Sequence, residues 1–377
     1  MMIRPLVRLL LCVGIASGLL SVAGPIANAA PGELIATQRF PVEWGDGYIV
    51  TYRTEGSDGA STLARGLLML PDGPAPAGGW PMISFDHGAS GLGPTCGASS
   101  SATLPVDVPY FRRLNALGYA VVSTDYLGLS PVTDQVHPYL NSRTEATATI
   151  DIVRAAREFT DTVSNSWAVF GVSQGGHAAL ATARLAPTYA PELDFRGAAA
   201  LAPGSQLEYL FPLAGPHIPR SPLIDNSIAG AAVLTTAFLA GMWATDRSFD
   251  LTPYLTPAGV QVLTELRTAC QDRWPAVIGG RGLGELLARP LFDDAARQAI
   301  GKYVAIPADG YQQPIFLAQG TRDTAVLPVM TQALAYEFEL AGAEYEYHTF
   351  ETDHQGIMGP GFDAGVEFLQ RILPTRR

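Results

Sequence analysis

Cysteine is scarce in this chain: three in 377 residues. No pair has the spacing of a zinc site, so a metal-stapled fold is excluded. Charge is scarce too, at 16% of residues, and apolar runs are spread along the whole length. That pattern excludes intrinsic disorder. Basic residues are outnumbered, 24 against 35 acidic, for a formal charge of -11. Without a basic cluster, a nucleic-acid partner is not expected. No phosphate-cradling loop and no dinucleotide fingerprint occurs; "GVSQGG" at Gly171 to Gly176 lacks the required spacing.

What is present is a large apolar share, 47% of residues, enough for one large core with a sizeable insertion. The first 29 residues read as an export signal. Arg4 and Arg8 open it, Leu9 to Ala23 is mostly apolar and uncharged, and Ala27-Asn28-Ala29 ends it with small residues. A membrane anchor fits less well, because the span is short and broken by Gly18, Gly24 and Pro25. Cys12 would leave with this segment. Cys96 and Cys270 remain, and an even pair in a secreted protein is an expected disulfide, with two buried thiols as the alternative.

Short apolar strands alternate with helical periodicity. Strands are predicted over Gly47 to Arg53, Arg65 to Leu70, Pro81 to Phe85, Gly118 to Tyr126, Ser166 to Gly171, Arg196 to Gly204, Pro314 to Gly320 and Glu344 to Phe350. Helices are predicted over Tyr110 to Leu117, Asn141 to Phe159, Gln174 to Arg184, Leu327 to Leu340 and Phe362 to Leu373. Repeated strand–helix alternation implies an α/β fold with a mostly parallel, doubly wound sheet. The alternation stops over Ser205 to Ala308, which reads as an inserted helical cap. The core is then Ala30 to Gly204 and Asp309 to Arg377. Within the cap, Ile228 to Trp243 is apolar almost all round. It is too short, and too interrupted by Thr235 and Thr236, for a membrane span. It reads as cap core, as the lining of an apolar cavity, or as both.

"FGVSQGGHAA" at Phe170 to Ala179 carries G-x-S-x-G between a strand and a helix. That setting is the nucleophile elbow, so Ser173 is the expected nucleophile and not merely a turn serine. A serine hydroxyl needs a histidine base held by an acid. The chain order on this fold is Ser, acid, His. His354, in a late loop, is the expected base, whereas His348 lies within a strand. Asp323, just past the strand ending at Gly320, is the expected acid, ahead of Glu351 and Asp353. His177 is expected in the packing behind the elbow. The backbone N–H groups of Gln174 and Ala89 are the expected oxyanion donors, with Gly88 ranked behind Ala89. No metal or organic cofactor is expected.

Several stretches together resemble the secretory lipase family of the α/β-hydrolases, known from exported yeast lipases and actinobacterial relatives. They are "DHGASGLGPTC", "DYLGL", "FGVSQGGHAA", "AALAPG", "QGTRDTAVLP" and "DHQG". The resemblance implies a Ser173–Asp323–His354 triad, a helical cap over an acyl-binding cavity and hydrolysis of acylglycerols. It implies that Cys96 pairs with Cys270 in the cap, and it adds Asp86 to the oxyanion candidates, behind Ala89. The chain lacks the second, C-terminal disulfide common among such relatives. The expected function is that of a secreted serine ester hydrolase, a triacylglycerol lipase in the first place. A short-chain carboxylesterase comes next, then an acyltransferase or peptidase on the same fold, and a binding protein with a dead site last. The expected partner is a lipid or small ester, with transient contact at a lipid interface and a monomeric state.

Overall fold

A computed structural model describes residues 30–100, 104–219 and 221–375. The expected export signal, residues 1–29, lies outside the described residues. Nine strands form one sheet: β1 (Leu34–Val42), β2 (Gly45–Glu55), β3 (Ser61–Pro71), β4 (Trp80–Asp86), β5 (Ala120–Thr124), β6 (Val163–Val172), β7 (Asp194–Leu201), β8 (Ile315–Gly320) and β9 (Tyr345–Phe350). Their order is β1-β2-β3-β5-β4-β6-β7-β8-β9. The pairs from β5 to β9 are parallel. Those from β1 to β5 are antiparallel. The strand β1 was not predicted. It is an edge strand, largely exposed, and its sequence lacks the apolar run that marks the buried strands.

The buried strands are apolar on both faces because helices cover both. α1 (Leu104–Ala116) and α11 (Pro360–Ile372) pack on one face, through Phe111, Leu114, Phe362 and Phe368. α2 (Ser142–Phe159), α3 (Gln174–Tyr189) and α10 (Pro328–Ala341) cover the other, through Ile150, Val153, Leu180 and Phe338. Asn141 starts α2 by accepting the Thr144 N–H at its side chain. Strand order reverses at β4, which sits between β5 and β6. Ligands in open α/β sheets bind at the carboxyl ends of strands beside such a reversal.

Between β7 and β8 the chain forms α4 (Leu207–Leu210), α5 (Pro222–Thr245), α6 (Pro257–Leu266), α7 (Trp274–Ile278), α8 (Leu283–Leu286) and α9 (Asp294–Val304). Prolines, including Pro257 and Pro275, open several of these short helices. They share an apolar cluster of their own around Phe211, Phe238, Leu263 and Trp274, which also takes in Leu92, Tyr139 and Leu140. Among the described residues no helix is long and apolar enough to cross a membrane. Cys96 and Cys270 are joined by a disulfide, with Cα atoms 5.4 Å apart. It lies beside an isolated antiparallel bridge between Gly91 and Cys270, flanked by bonds from Leu92 N–H to the Ala269 oxygen and from Gln271 N–H to the Ser90 oxygen. Gly91 is required there: its φ is +153°, and a Cβ would lie 2.6 Å from Cys96 Sγ.

Candidate active site

Ser173 stands between the end of β6 and the start of α3, at φ 58° and ψ -117°. That is a sparsely populated conformation for a side-chain-bearing residue, of order 1–3 kcal/mol above relaxed backbone. The surroundings hold it there. Its N–H donates to the Leu201 oxygen of β7 at 2.8 Å, and its carbonyl accepts the His177 N–H at 3.0 Å. The flanking glycines permit the bend. A Cβ on Gly171 would lie 1.9 Å from the Gly175 oxygen, and one on Gly175 would lie 1.8 Å from the Asp86 oxygen.

Three residues predicted from sequence meet at this point. His354, in the loop after β9, places Nε2 2.9 Å from Ser173 Oγ and Nδ1 2.6 Å from Asp323 Oδ2. Asp323, in the loop after β8, is buried. Its Oδ1 accepts the N–H groups of Ala325 and Val326 at 2.8 and 2.9 Å. Its Oδ2 also accepts Gln319 Nε2 at 3.0 Å. These donors fix the carboxylate in place, and it orients the His354 ring with Nδ1 toward Asp323 and Nε2 toward Ser173. Gln319 was not singled out from sequence. It is buried at the end of β8 and is itself held by the Thr331 hydroxyl at 2.7 Å.

Of the oxyanion candidates, Gln174 opens α3 directly after the serine. Gly88 passes close by, with its Cβ position 3.7 Å from Ser173 Cβ. The neighbouring Ala89 packs against the apolar cluster of the β7–β8 insertion. The Asp86 side chain is not brought into this group. It is fully buried and accepts the hydroxyls of Thr149 on α2 at 2.8 Å and of Ser84 at 3.3 Å. Burial pushes its carboxyl well above the usual range, against those two hydrogen bonds. His348 lies on β9, half-exposed and 3.6 Å from Glu346, away from the serine. His177 is fully buried against Glu145.

Beside Ser173 is a small apolar cavity of about 20 Å³. Its walls include Tyr139, Leu140, Phe211, Leu234 of α5, Val326 and Met330. With Ser173 and Gln174 the lining comes from five separate stretches, so no sequence window displays the cavity. Leu210 and Phe211 of "YLFPL" line it, while Tyr209 and Leu213 face solvent.

A partly buried serine–histidine–aspartate relay at the carboxyl ends of a doubly wound sheet is an α/β-hydrolase arrangement. Residues 98–248 match the family model described as secretory lipase. The match includes Ser173 and stops before Asp323 and His354. No curated protein sequence matches the chain. Among solved structures, the rice cell wall degrading esterase LipA from Xanthomonas oryzae superposes with a TM-score of 0.73 at 21% identity, covering 91% of this chain and 99% of that one. Candida antarctica lipase A in its closed state gives 0.71 at 21% identity, covering 91% and 82%. The fold is that of the α/β-hydrolases, and over residues 98–248 the chain is similar to the secretory lipases.

Proposed function

We propose that this protein is an exported serine hydrolase that cleaves water-poor acyl esters, triacylglycerols among them, through an acyl-enzyme on Ser173. The observation that carries the reading is His354, with one ring nitrogen on Asp323 and the other on Ser173. His354 takes the serine proton as Oγ attacks the ester carbonyl. The negative oxygen of the tetrahedral intermediate is met by the backbone N–H groups of Gln174 and Ala89. His354 then protonates the leaving alcohol, and the C–O bond breaks. Water, deprotonated by the same ring, attacks the acyl-serine and releases the acid. Asp323 stabilises the imidazolium throughout.

The apolar walls beside Ser173 support an acyl chain as the group bound there. The Ser205 to Ala308 insertion is the cap over that chain, and α5 supplies part of its lining. A free volume of about 20 Å³ holds little more than one water, so the walls must part to admit any acyl group. The same tight volume favours a second reading, a short-chain carboxylesterase. Export is supported by the family description and by the Cys96–Cys270 disulfide.

The test is kcat/KM across p-nitrophenyl esters from acetate to palmitate, then an emulsified triacylglycerol. Each buried methylene adds roughly 0.8 kcal/mol, so butyrate should exceed acetate by about tenfold. Acetate as best substrate with an untouched emulsion selects the short-chain reading. Ser173→Ala should abolish nearly all turnover with an unchanged circular dichroism spectrum. Parental activity in that variant refutes the nucleophile.

A further inference from the structure

Around Gln174 lies a set of buried polar side chains that the acyl-transfer steps leave unused. Glu145, in the first turn of α2, is 1% exposed. Its Oε1 accepts Gln174 Nε2 at 2.8 Å and the Leu140 N–H at 3.1 Å. Its Oε2 accepts His177 Nδ1 at 2.5 Å. His177 Nε2 faces the carbonyl oxygen of Val304, the last residue of α9, at 2.9 Å. Gln174 Nε2 also lies 2.7 Å from His137 Nε2, and His137 Nδ1 faces the Leu127 carbonyl at 2.8 Å.

The protons in this set can be assigned from the partners alone. A carbonyl oxygen only accepts, so His137 carries its proton on Nδ1 and accepts at Nε2. The two N–H bonds of the Gln174 amide then go to His137 and to Glu145. His177 meets a carboxylate at one nitrogen and a carbonyl at the other. Both of its nitrogens must donate, which makes it an imidazolium. Burial opposes that charge, but the Glu145 carboxylate outweighs it, with help from the Val304 carbonyl and from Glu208 of α4, and the ring stands above its ordinary pKa. Every hydrogen on the nitrogens of these three side chains, His137, Gln174 and His177, therefore has an acceptor.

Two of the groups held by Glu145 border the substrate. Gln174 supplies a proposed oxyanion donor through its backbone N–H. Leu140 lines the cavity and sits at φ 61°, a left-handed conformation that a branched side chain disfavours. The third group, His177, reaches α9 in the insertion. We infer that Glu145 is a positioning residue for acyl transfer: paired with the His177 imidazolium, it fixes Gln174 and Leu140 at the reaction centre and couples both to the end of α9. This inference rests on the Ser173 reading above.

The experiment has two arms. In the first, the parent is labelled with ¹⁵N, and histidine ring signals are recorded at about pH 7.5, where an ordinary imidazole is neutral. His177→Gln identifies the signal. Both His177 nitrogens should carry protons; a neutral His177 overturns the inference. In the second, Glu145→Gln keeps the shape and removes the charge. With p-nitrophenyl butyrate, kcat should fall about tenfold or more with KM within about twofold, because the lost alignment matters in the transition state. The Gln174 backbone amide signal should move, and Glu145→Asp should give a kcat between the two. Parental kcat in folded Glu145→Gln overturns the inference. If Glu145→Gln does not fold, Glu145→Asp decides the second arm: a lower kcat at parental KM supports it and a parental kcat overturns it. A parent with no ester turnover refutes the proposed function instead, and the His177 ring signals still decide whether the pair is charged.

Discussion

Gly175→Ala is the smallest change that should open the reaction centre. The added methyl would sit 1.8 Å from the Asp86 carbonyl oxygen, 2.5 Å from its carbon and 2.8 Å from the His87 oxygen. All three are backbone atoms, so no rotamer relieves the clash. A Cβ contact under 3.0 Å is essentially never seen, so about 1.2 Å of separation must be gained. If the start of α3 retreats, Ser173 and the Gln174 N–H go with it. If the end of β4 retreats, Gly88 and Ala89 follow. Either way the two sides of the proposed oxyanion hole part by about an ångström. A misplacement of that size costs about 10²-fold in rate, in line with the ~10²–10³-fold loss of one oxyanion donor. The expected fall in kcat/KM is therefore about 10²-fold, or about 2.7 kcal/mol of transition-state stabilisation. Overpacking should also remove about 1–3 kcal/mol of stability. Kinetics with p-nitrophenyl butyrate and a urea unfolding curve measure both. A variant with parental kcat/KM and a parental urea midpoint would refute the reasoning.

Replacing both Cys96 and Cys270 by serine releases a loop with a sequence separation of 174, and should cost about 4–5 kcal/mol in urea unfolding by the chain-entropy estimate; an unchanged midpoint would contradict it. Gly301 lies inside α9 with open space at its Cβ position, so Gly301→Ala should stabilise by about 0.5–1 kcal/mol without altering ester turnover. A lowered midpoint would count against that packing. Burial lowers the His137 ring to about 3, so the unfolded chain takes up a proton below about pH 6.5 that the native ring refuses. This contribution is present above pH 6.5 and is lost on acidification, at up to about 1.4 kcal/mol per unit. Asp125, which burial raises to about 7, titrates with the opposite sign in the same range. The quantity to follow is the stability difference between parent and His137→Asn, from urea curves at about pH 7 and pH 5. It should grow with pH, and a flat difference would sink the argument.

The parallel half of the sheet was legible because its strands are buried on both faces. All five residues of β5 and all six of β8 are buried, and each opens on an apolar run, Ala120 to Val122 and Ile315 to Ala318. The elbow was legible for a local reason: two glycines, a serine and a strand–helix switch all fall within a few residues. Asp323 and His354 were found by chain order and loop position. The structure brings both to Ser173, as its distances record. The edge strand β1 was missed because exposure on both sides erases alternation. The helices α7 and α8, of five and four residues, fall below the length at which periodicity registers. Glu145 was missed because, in sequence, an acid in a helical first turn looks like a solvated end charge. Only the fold brings it to His177, 32 positions away.

The junction at Gly91 and Cys270 has a mechanical consequence. A disulfide, an antiparallel bridge and two flanking hydrogen bonds stitch the insertion to the segment that follows the Asp86–Ala89 loop. Stitched there, the insertion has its least freedom beside that loop. Away from the seam, α5 meets the loop of the acid by close approach, with the Gly230 Cβ position 3.3 Å from the Ala325 Cα. Swinging about the stitched edge would lift α5 from Ala325 while the donor loop stays in register with Ser173. An entering acyl chain would then pass the aspartate side of the centre, and the oxyanion side would act as its fixed jamb.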